Sequence, residues 1–178
     1  ASNFWGFDQG WQEDVMVGGR YHNGNGGYYE NYPAGTFLAL GGGEAATGYI
    51  KPSDERICLM SDIGGVELPE ELDGVASFLS FSNTPNESYW YNSSSRIQFD
   101  WDYYNYAYMG RDNSIWKSVD GGSSFAPIYT FGGTSGNKVL WVEQSRVDKK
   151  IIYLTQNIGG SNCKLWKTTD GGVSWTDI

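Results

Sequence analysis

Ser118-Val119-Asp120-Gly121-Gly122-Ser123-Ser124-Phe125 recurs fifty residues on as Thr168-Thr169-Asp170-Gly171-Gly172-Val173-Ser174-Trp175. Each copy follows an apolar-aromatic-Lys triplet, Ile115-Trp116-Lys117 and Leu165-Trp166-Lys167. The chemistry inside each copy is that of a closed turn. An Asp carboxylate accepts hydrogen bonds from N–H groups just ahead of it. Paired glycines permit positive φ without a Cβ clash. The closing Phe125 or Trp175 lays a large ring over the hairpin, and Ser118 or Thr168 bonds into the same loop. A chain that repeats such a unit at this period is expected to stack four-stranded antiparallel blades rather than build one unique core.

Outward from the turns, the last unit predicts strands at 139–142, 151–155 and 165–167, then the turn and Trp175. The unit before it predicts strands at 97–101, 106–109 and 115–117, the same turn, and a strand at 125–129. The first half fits the plan without the Asp turn. Strands are expected at 4–8, 15–19, 27–29 and 36–40, then at 45–50, 57–61, 64–67 and 75–79, with one helical turn at 68–72. The prediction is an all-β chain of about four blades, at 1–43, 44–82, 95–137 and 138–178, joined by polar connections at 83–95 and 129–137. Because blades are stabilised by their neighbours, an arc of four that ends inside an outer strand is expected to be part of a larger assembly.

Composition agrees with strands and turns. The chain of 178 residues carries 25 Gly, 13 Tyr, 8 Trp and 8 Phe, with little in helical spacing. A net charge of −9, from 12 basic and 21 acidic residues, repels a nucleic-acid backbone and an anionic membrane surface alike. No apolar run approaches the roughly 20 residues of a membrane-spanning helix, so no membrane insertion is expected. No leader peptide stands at the front, as in a mature or partial chain. Cys58 and Cys163 read as two small buried hydrophobes, with a disulfide as the alternative. Sequons at Asn86-Glu87-Ser88 and Asn92-Ser93-Ser94 are common by chance in such loops.

The two turn segments resemble the Asp-box, or bacterial neuraminidase repeat, Ser/Thr-x-Asp-x-Gly-x-x-Trp/Phe, at every defined position. The resemblance implies a β-propeller of the sialidase, xyloglucanase or sortilin type. There the box lies on a blade's outer hairpin and is not catalytic. Ser118, Asp120, Gly122, Phe125, Thr168, Asp170, Gly172 and Trp175 are therefore expected to be structural. A second likeness runs from Phe7-Asp8 through Val15-Met16-Val17-Gly18-Gly19-Arg20-Tyr21-His22-Asn23-Gly24 to Gly41-Gly42-Gly43-Glu44. It resembles xyloglucanase- and sortilin-like propellers, in which Gly-Gly-x-x-Asp-Asn-Gly is followed by Gly-Gly-Asp-Gly. His22 and Glu44 stand where those patterns carry Asp. This resemblance implies a secreted or cell-surface protein, often bacterial, and marks Arg20, His22, Asn23 and Glu44 as candidate ligand-binding residues.

A sialidase needs three arginines around its substrate's carboxylate. The chain has Arg20, Arg56, Arg96, Arg111 and Arg146, and none stands in an Arg-Ile-Pro context; Arg96-Ile97-Gln98 lacks the Pro. Other glycosidases need two carboxylates roughly 5–10 Å apart, for which Asp14, Glu44, Asp100 and Asp102 are the candidates. His22 has no nucleophile elbow to serve. Tyr89-Trp90-Tyr91 and the aromatic run that begins at Trp101 mix flat rings with amides and carboxylates, a combination suited to sugars; packing between blades is the alternative for Trp101. No cofactor is expected. Calcium suits an acidic propeller, but no EF-hand loop is present. The leading expectation is a non-catalytic module for a glycan or an extracellular protein, completed by further blades of the same protein. The alternative is a propeller glycoside hydrolase with part of its active site elsewhere, and a third reading is a sortilin-like peptide receptor.

Overall fold

The computed structural model describes residues 4–20, 22–42, 48–83, 94–133 and 136–178. These residues form four four-stranded antiparallel sheets, each a meander whose strands pair in chain order. The chain divides into two compact units, Ala1–Asn92 and Ser93–Ile178, with two sheets in each. The fold is all-β, built of propeller-type blades. No helix among the described residues is long and apolar enough to cross a membrane.

In the first unit, one blade comprises β1 (Phe4–Gln9), β2 (Val15–Arg20), β3 (Gly24–Tyr29) and β4 (Leu38–Gly41). The next comprises β5 (Gly48–Ile50), β6 (Ile57–Met60), β7 (Gly64–Glu67) and β8 (Ser77–Leu79). β5 packs against β1 and β2. Between the sheets lie Val15, Val17, Leu40, Ile50, Cys58, Met60, Val66 and Leu68, all buried. Val15 and Val17 reach this core by strand alternation, since every second side chain shares a face. Burial of such side chains stabilises by roughly 1.5–3 kcal/mol each before chain entropy is set against it.

The second unit pairs β9 (Gln98–Phe99), β10 (Ala107–Arg111), β11 (Ser114–Ser118) and β12 (Ala126–Thr130) with β13 (Lys138–Gln144), β14 (Ile152–Asn157), β15 (Cys163–Thr168) and β16 (Thr176–Asp177). Its core gathers Tyr108, Ile115, Phe131, Val139, Val142, Ile152 and Leu154, with Tyr129, Trp166 and Trp175 against them. Phe131 is the hub of the rings, 4.9 Å from Tyr129, 4.9 Å from Trp166 and 5.5 Å from Trp175.

Several elements depart from the sequence reading. Residues 68–72 form no helical turn. Leu68 is instead a fully buried plug, whose carbonyl accepts from Arg56 Nη1 at 3.0 Å, while Pro69 O accepts from the Tyr32 hydroxyl at 2.9 Å. β3 starts at Gly24, three residues earlier than expected, because its glycines pair with β2 although they read locally as a turn. β9 stops at Phe99, since Asp100 turns the chain.

The paired burial expected of the cysteines is corrected. Cys58 is buried and Cys163 exposed, and both are free thiols. Burial pushes the Cys58 thiol up to about 12, so at neutral pH it carries almost no thiolate. A maleimide should therefore label one thiol per native chain and two after denaturation, as counted by intact mass. Two rapid native labels would contradict the packing of β6.

Candidate functional site

The turn between β6 and β7 presents Asp62 to solvent. Its Oδ1 accepts a 2.7 Å hydrogen bond from Nδ2 of Asn25, a β3 residue with no solvent exposure. The exposed carboxylate is thus fixed from behind by a buried amide of the neighbouring blade. Gly42 follows β4 at φ +74°, a conformation that L side chains rarely adopt, and any Cβ there would overlap both Asp62 Oδ2 and Asn25 Nδ2. The bare backbone at 42 is what lets the carboxylate and the amide meet.

Arg20, His22 and Asn23 surround the corresponding β2–β3 turn. The Arg20 guanidinium braces that turn, donating to Asn23 O at 2.7 Å and Gly24 O at 3.3 Å, and lies 4.8 Å from the Phe37 ring centroid. His22 is exposed at φ 55° and Asn23 is exposed beside it. Glu44, Tyr89, Trp90 and Tyr91 fall outside the described residues.

At the opposite end of these two blades, Glu55 from the β5–β6 loop is 4 % exposed and gathers the β1–β2 loop. It accepts from the backbone N–H of Trp11 at 2.8 Å, Gln12 at 3.0 Å and Glu13 at 2.7 Å. Asp14, on that loop, is exposed.

The equivalent loops of the second unit enclose a cleft of about 480 Å³ between residues 100–102 and 144–149. Asp100 is 1 % exposed and accepts from Asp102 N and Tyr103 N, both at 2.9 Å, and from Gln144 Nε2 at 2.9 Å. Burial alone would raise its pKa, but these three donors, helped by Lys149, outweigh it and hold the carboxyl below its ordinary value. A carboxyl depressed on folding stabilises the fold above its unfolded pKa, about 3.9, and loses that contribution as pH falls below it. Urea midpoints should therefore drop between pH 5 and pH 3 less steeply for Asp100→Asn than for the wild type. Equal slopes would contradict this role.

Asp102 is exposed and pairs with Lys149 at 3.3 Å. Arg146 covers one face of Trp101 at 4.2 Å. Tyr103 stacks on Tyr106 with centroids 5.5 Å apart, while Lys149 Nζ lies 4.0 Å from the Tyr103 ring and Lys117 Nζ 4.1 Å from the Tyr106 ring. Tyr103 is 53% exposed with Tyr106 and Lys149 against it, so a sugar stacking where Lys149 sits must displace a cation held by about 0.5–1 kcal/mol.

The two Asp-Gly-Gly turns close on themselves. Asp120 Oδ1 accepts from Ser118 Oγ at 2.7 Å and Ser124 N at 2.9 Å, and Gly122 N donates to Ser118 Oγ at 2.8 Å. In the second copy Asp170 Oδ1 accepts from Thr168 Oγ1 at 2.7 Å and Ser174 N at 3.0 Å, and Gly172 N donates to Thr168 Oγ1 at 3.0 Å. Hydrogen bonds from Ser174 and Thr168 hold the Asp170 carboxyl well below the usual range. Phe125 is buried, and Trp175 Nε1 donates to Gly172 O at 3.1 Å. Among the described residues, no group of three or more His, Cys, Asp or Glu side chains is placed to hold a metal ion.

No family model and no curated protein matches this chain. Solved structures do. An ancestral GH74 enzyme superposes with a TM-score of 0.65 at 16% identity, over 100% of this chain and 24% of its own. The GH74 enzyme of Niastella koreensis gives 0.59 at 14% identity, over 100% and 30%. The GH74 xyloglucanase of Xanthomonas campestris gives 0.58 at 10% identity, over 92% and 28%. At these identities the likeness shows the fold, that of β-propeller blades. The chain spans 24% to 30% of the length of these structures.

Sequence reasoning missed Asp62, Asn25 and Glu55. Asp62 stands in Ser61-Asp62-Ile63-Gly64-Gly65, an Asp next to paired glycines that reads as one more tight turn. Asn25 lies among glycines and reads as loop. Only pairing between blades shows that one is exposed, the other buried, and the two bonded.

Proposed function

We propose that this chain is part of a secreted or cell-surface propeller that cleaves a plant-type polysaccharide, a glycoside hydrolase of the xyloglucanase kind, with Asp62 as one of its two carboxylates. The observation that carries this reading is an exposed carboxylate anchored by a fully buried amide. Ordering an exposed Asp costs side-chain freedom and gains little stability at a surface, whereas a reacting group needs a fixed direction. Asp62 takes the proton of the attacking water. The second carboxylate, contributed from outside this chain, protonates the departing glycosidic oxygen. The fold shared with GH74 enzymes supports this assignment. Further blades complete the groove. Phe7 is 57% and Phe37 46% exposed on the first unit, and Trp141 49% exposed on the second, apolar area suited to such packing.

A binding-only module is the second reading. It draws on the fate of Asp100 and Asp102, acids singled out by sequence, which are engaged in loop contacts and a Lys149 pair. Incubation of the full-length protein with xyloglucan separates the two. Release of new reducing ends is expected. Retention on xyloglucan in affinity gels without release would establish the binding module instead.

A further inference from the structure

We infer that Asn25 is a positioning residue for Asp62, so that part of the activity of one blade is set by a buried side chain of its neighbour. This rests on the reading of Asp62 as a reacting carboxylate.

Asn25 sits on β3 opposite Gly19 of β2 and Gly41 of β4. A strand position between two glycines leaves room for a polar side chain that would otherwise be crowded. Its amide is fully buried, an expensive location for a group with two donors and an acceptor. One donor is used on Asp62 Oδ1 at 2.7 Å, while Oδ1 of Asn25 has no hydrogen-bond partner among the described residues. A residue chosen only to stabilise the core would be apolar there, as Val15, Val17 and Val66 are in the core of the same unit. The cost is accounted for if the bond to Asp62 serves orientation. That bond fixes the carboxylate plane by engaging Oδ1, and Gly42 beside Oδ2 has no Cβ to push the carboxylate out of that plane.

The test is steady-state xyloglucan hydrolysis by the full-length protein carrying Asn25→Ala, Asn25→Asp or Asp62→Asn. Asn25→Asp keeps the shape and replaces the donor by a carboxyl, so it reports on the bond even where Asn25→Ala fails to fold. Both Asn25 variants are expected to lose at least tenfold in kcat with KM within twofold, because sugar contacts away from Asp62 are untouched. A general loosening of the fold would raise KM and lower the melting temperature together. Inactive Asp62→Asn with undiminished kcat in a folded Asn25→Asp protein would overturn the positioning role while leaving Asp62 in place. Hydrolysis that survives Asp62→Asn, or a wild type that releases no reducing ends, would overturn both.

Discussion

Asp62→Asn is expected to lower kcat for xyloglucan hydrolysis by roughly 10²- to 10⁴-fold, the range over which a positioned acid or base acts. The amide keeps the volume of the carboxylate and stays against Gly42, so the turn between β6 and β7 should persist. What disappears is the ability to take up a proton, together with the charge that Asn25 Nδ2 addresses at 2.7 Å. Because the side chain is exposed, desolvation contributes little to the fold, and the melting temperature should move by no more than a few degrees. Binding of xyloglucan should survive, since rings and hydroxyl-bonding groups elsewhere carry it. A proton-transfer role thus predicts kcat lost with binding retained. Retained kcat would remove Asp62 from the chemistry.

Glu55→Ala should instead act on stability. The Glu55 carboxylate is 4 % exposed and satisfies three consecutive backbone N–H groups of the β1–β2 loop. Hydrogen bonds to a charged acceptor are worth about 1.5–3 kcal/mol each when broken singly. The loop is open enough for water to replace some of them, so the net loss should be about 2–4 kcal/mol. For a unit of this size that corresponds to roughly 10 °C or more in melting temperature. Amide exchange at residues 11–13 should rise most. Glu55→Gln, which keeps one acceptor oxygen but turns an NH₂ toward the loop, should fall between wild type and Ala. A melting temperature unchanged in Glu55→Ala would mean that the first two blades are held by their apolar core alone.

The contrast between these two residues and the Asp-Gly-Gly turns explains what could be read in advance. Asp120 meets its partners Ser118 and Ser124 within four residues of itself, and Asp170 does the same with Thr168 and Ser174. Turn chemistry of that kind is written into a short string, and its repetition gives the blade period. The alternation of Val15 and Val17 is equally local. Glu55 reaches back more than forty residues, Gln144 reaches Asp100 across 44, and Asn25 reaches Asp62 across 37. Such partners are chosen by which blades stack and in what register, and no local pattern carries that information. The aromatic run at Trp101 was legible as a cluster, but the cations that cover its rings come from Lys117, Arg146 and Lys149 on other strands and loops. The run therefore looks like a sugar platform in sequence, while in the structure its faces are shared with charge.

Of the acids singled out from sequence, Glu44 falls outside the described residues, and the other three share an end of their blades. Asp14, Asp100 and Asp102 lie on β1–β2-type loops, at the end of the blades away from the β6–β7 turn in the first unit and at the equivalent end in the second. Proximity to an inner strand in sequence does not say at which end of that strand a loop emerges.

A crystal structure of the full-length Asp62→Asn protein soaked with a xyloglucan oligosaccharide tests the central claim most directly. The account predicts sugar residues crossing the blades at the β6–β7 turn, with an anomeric carbon or its water within about 3–3.5 Å of the side chain at position 62. Oligosaccharide bound only elsewhere, with that turn left to solvent, would contradict it.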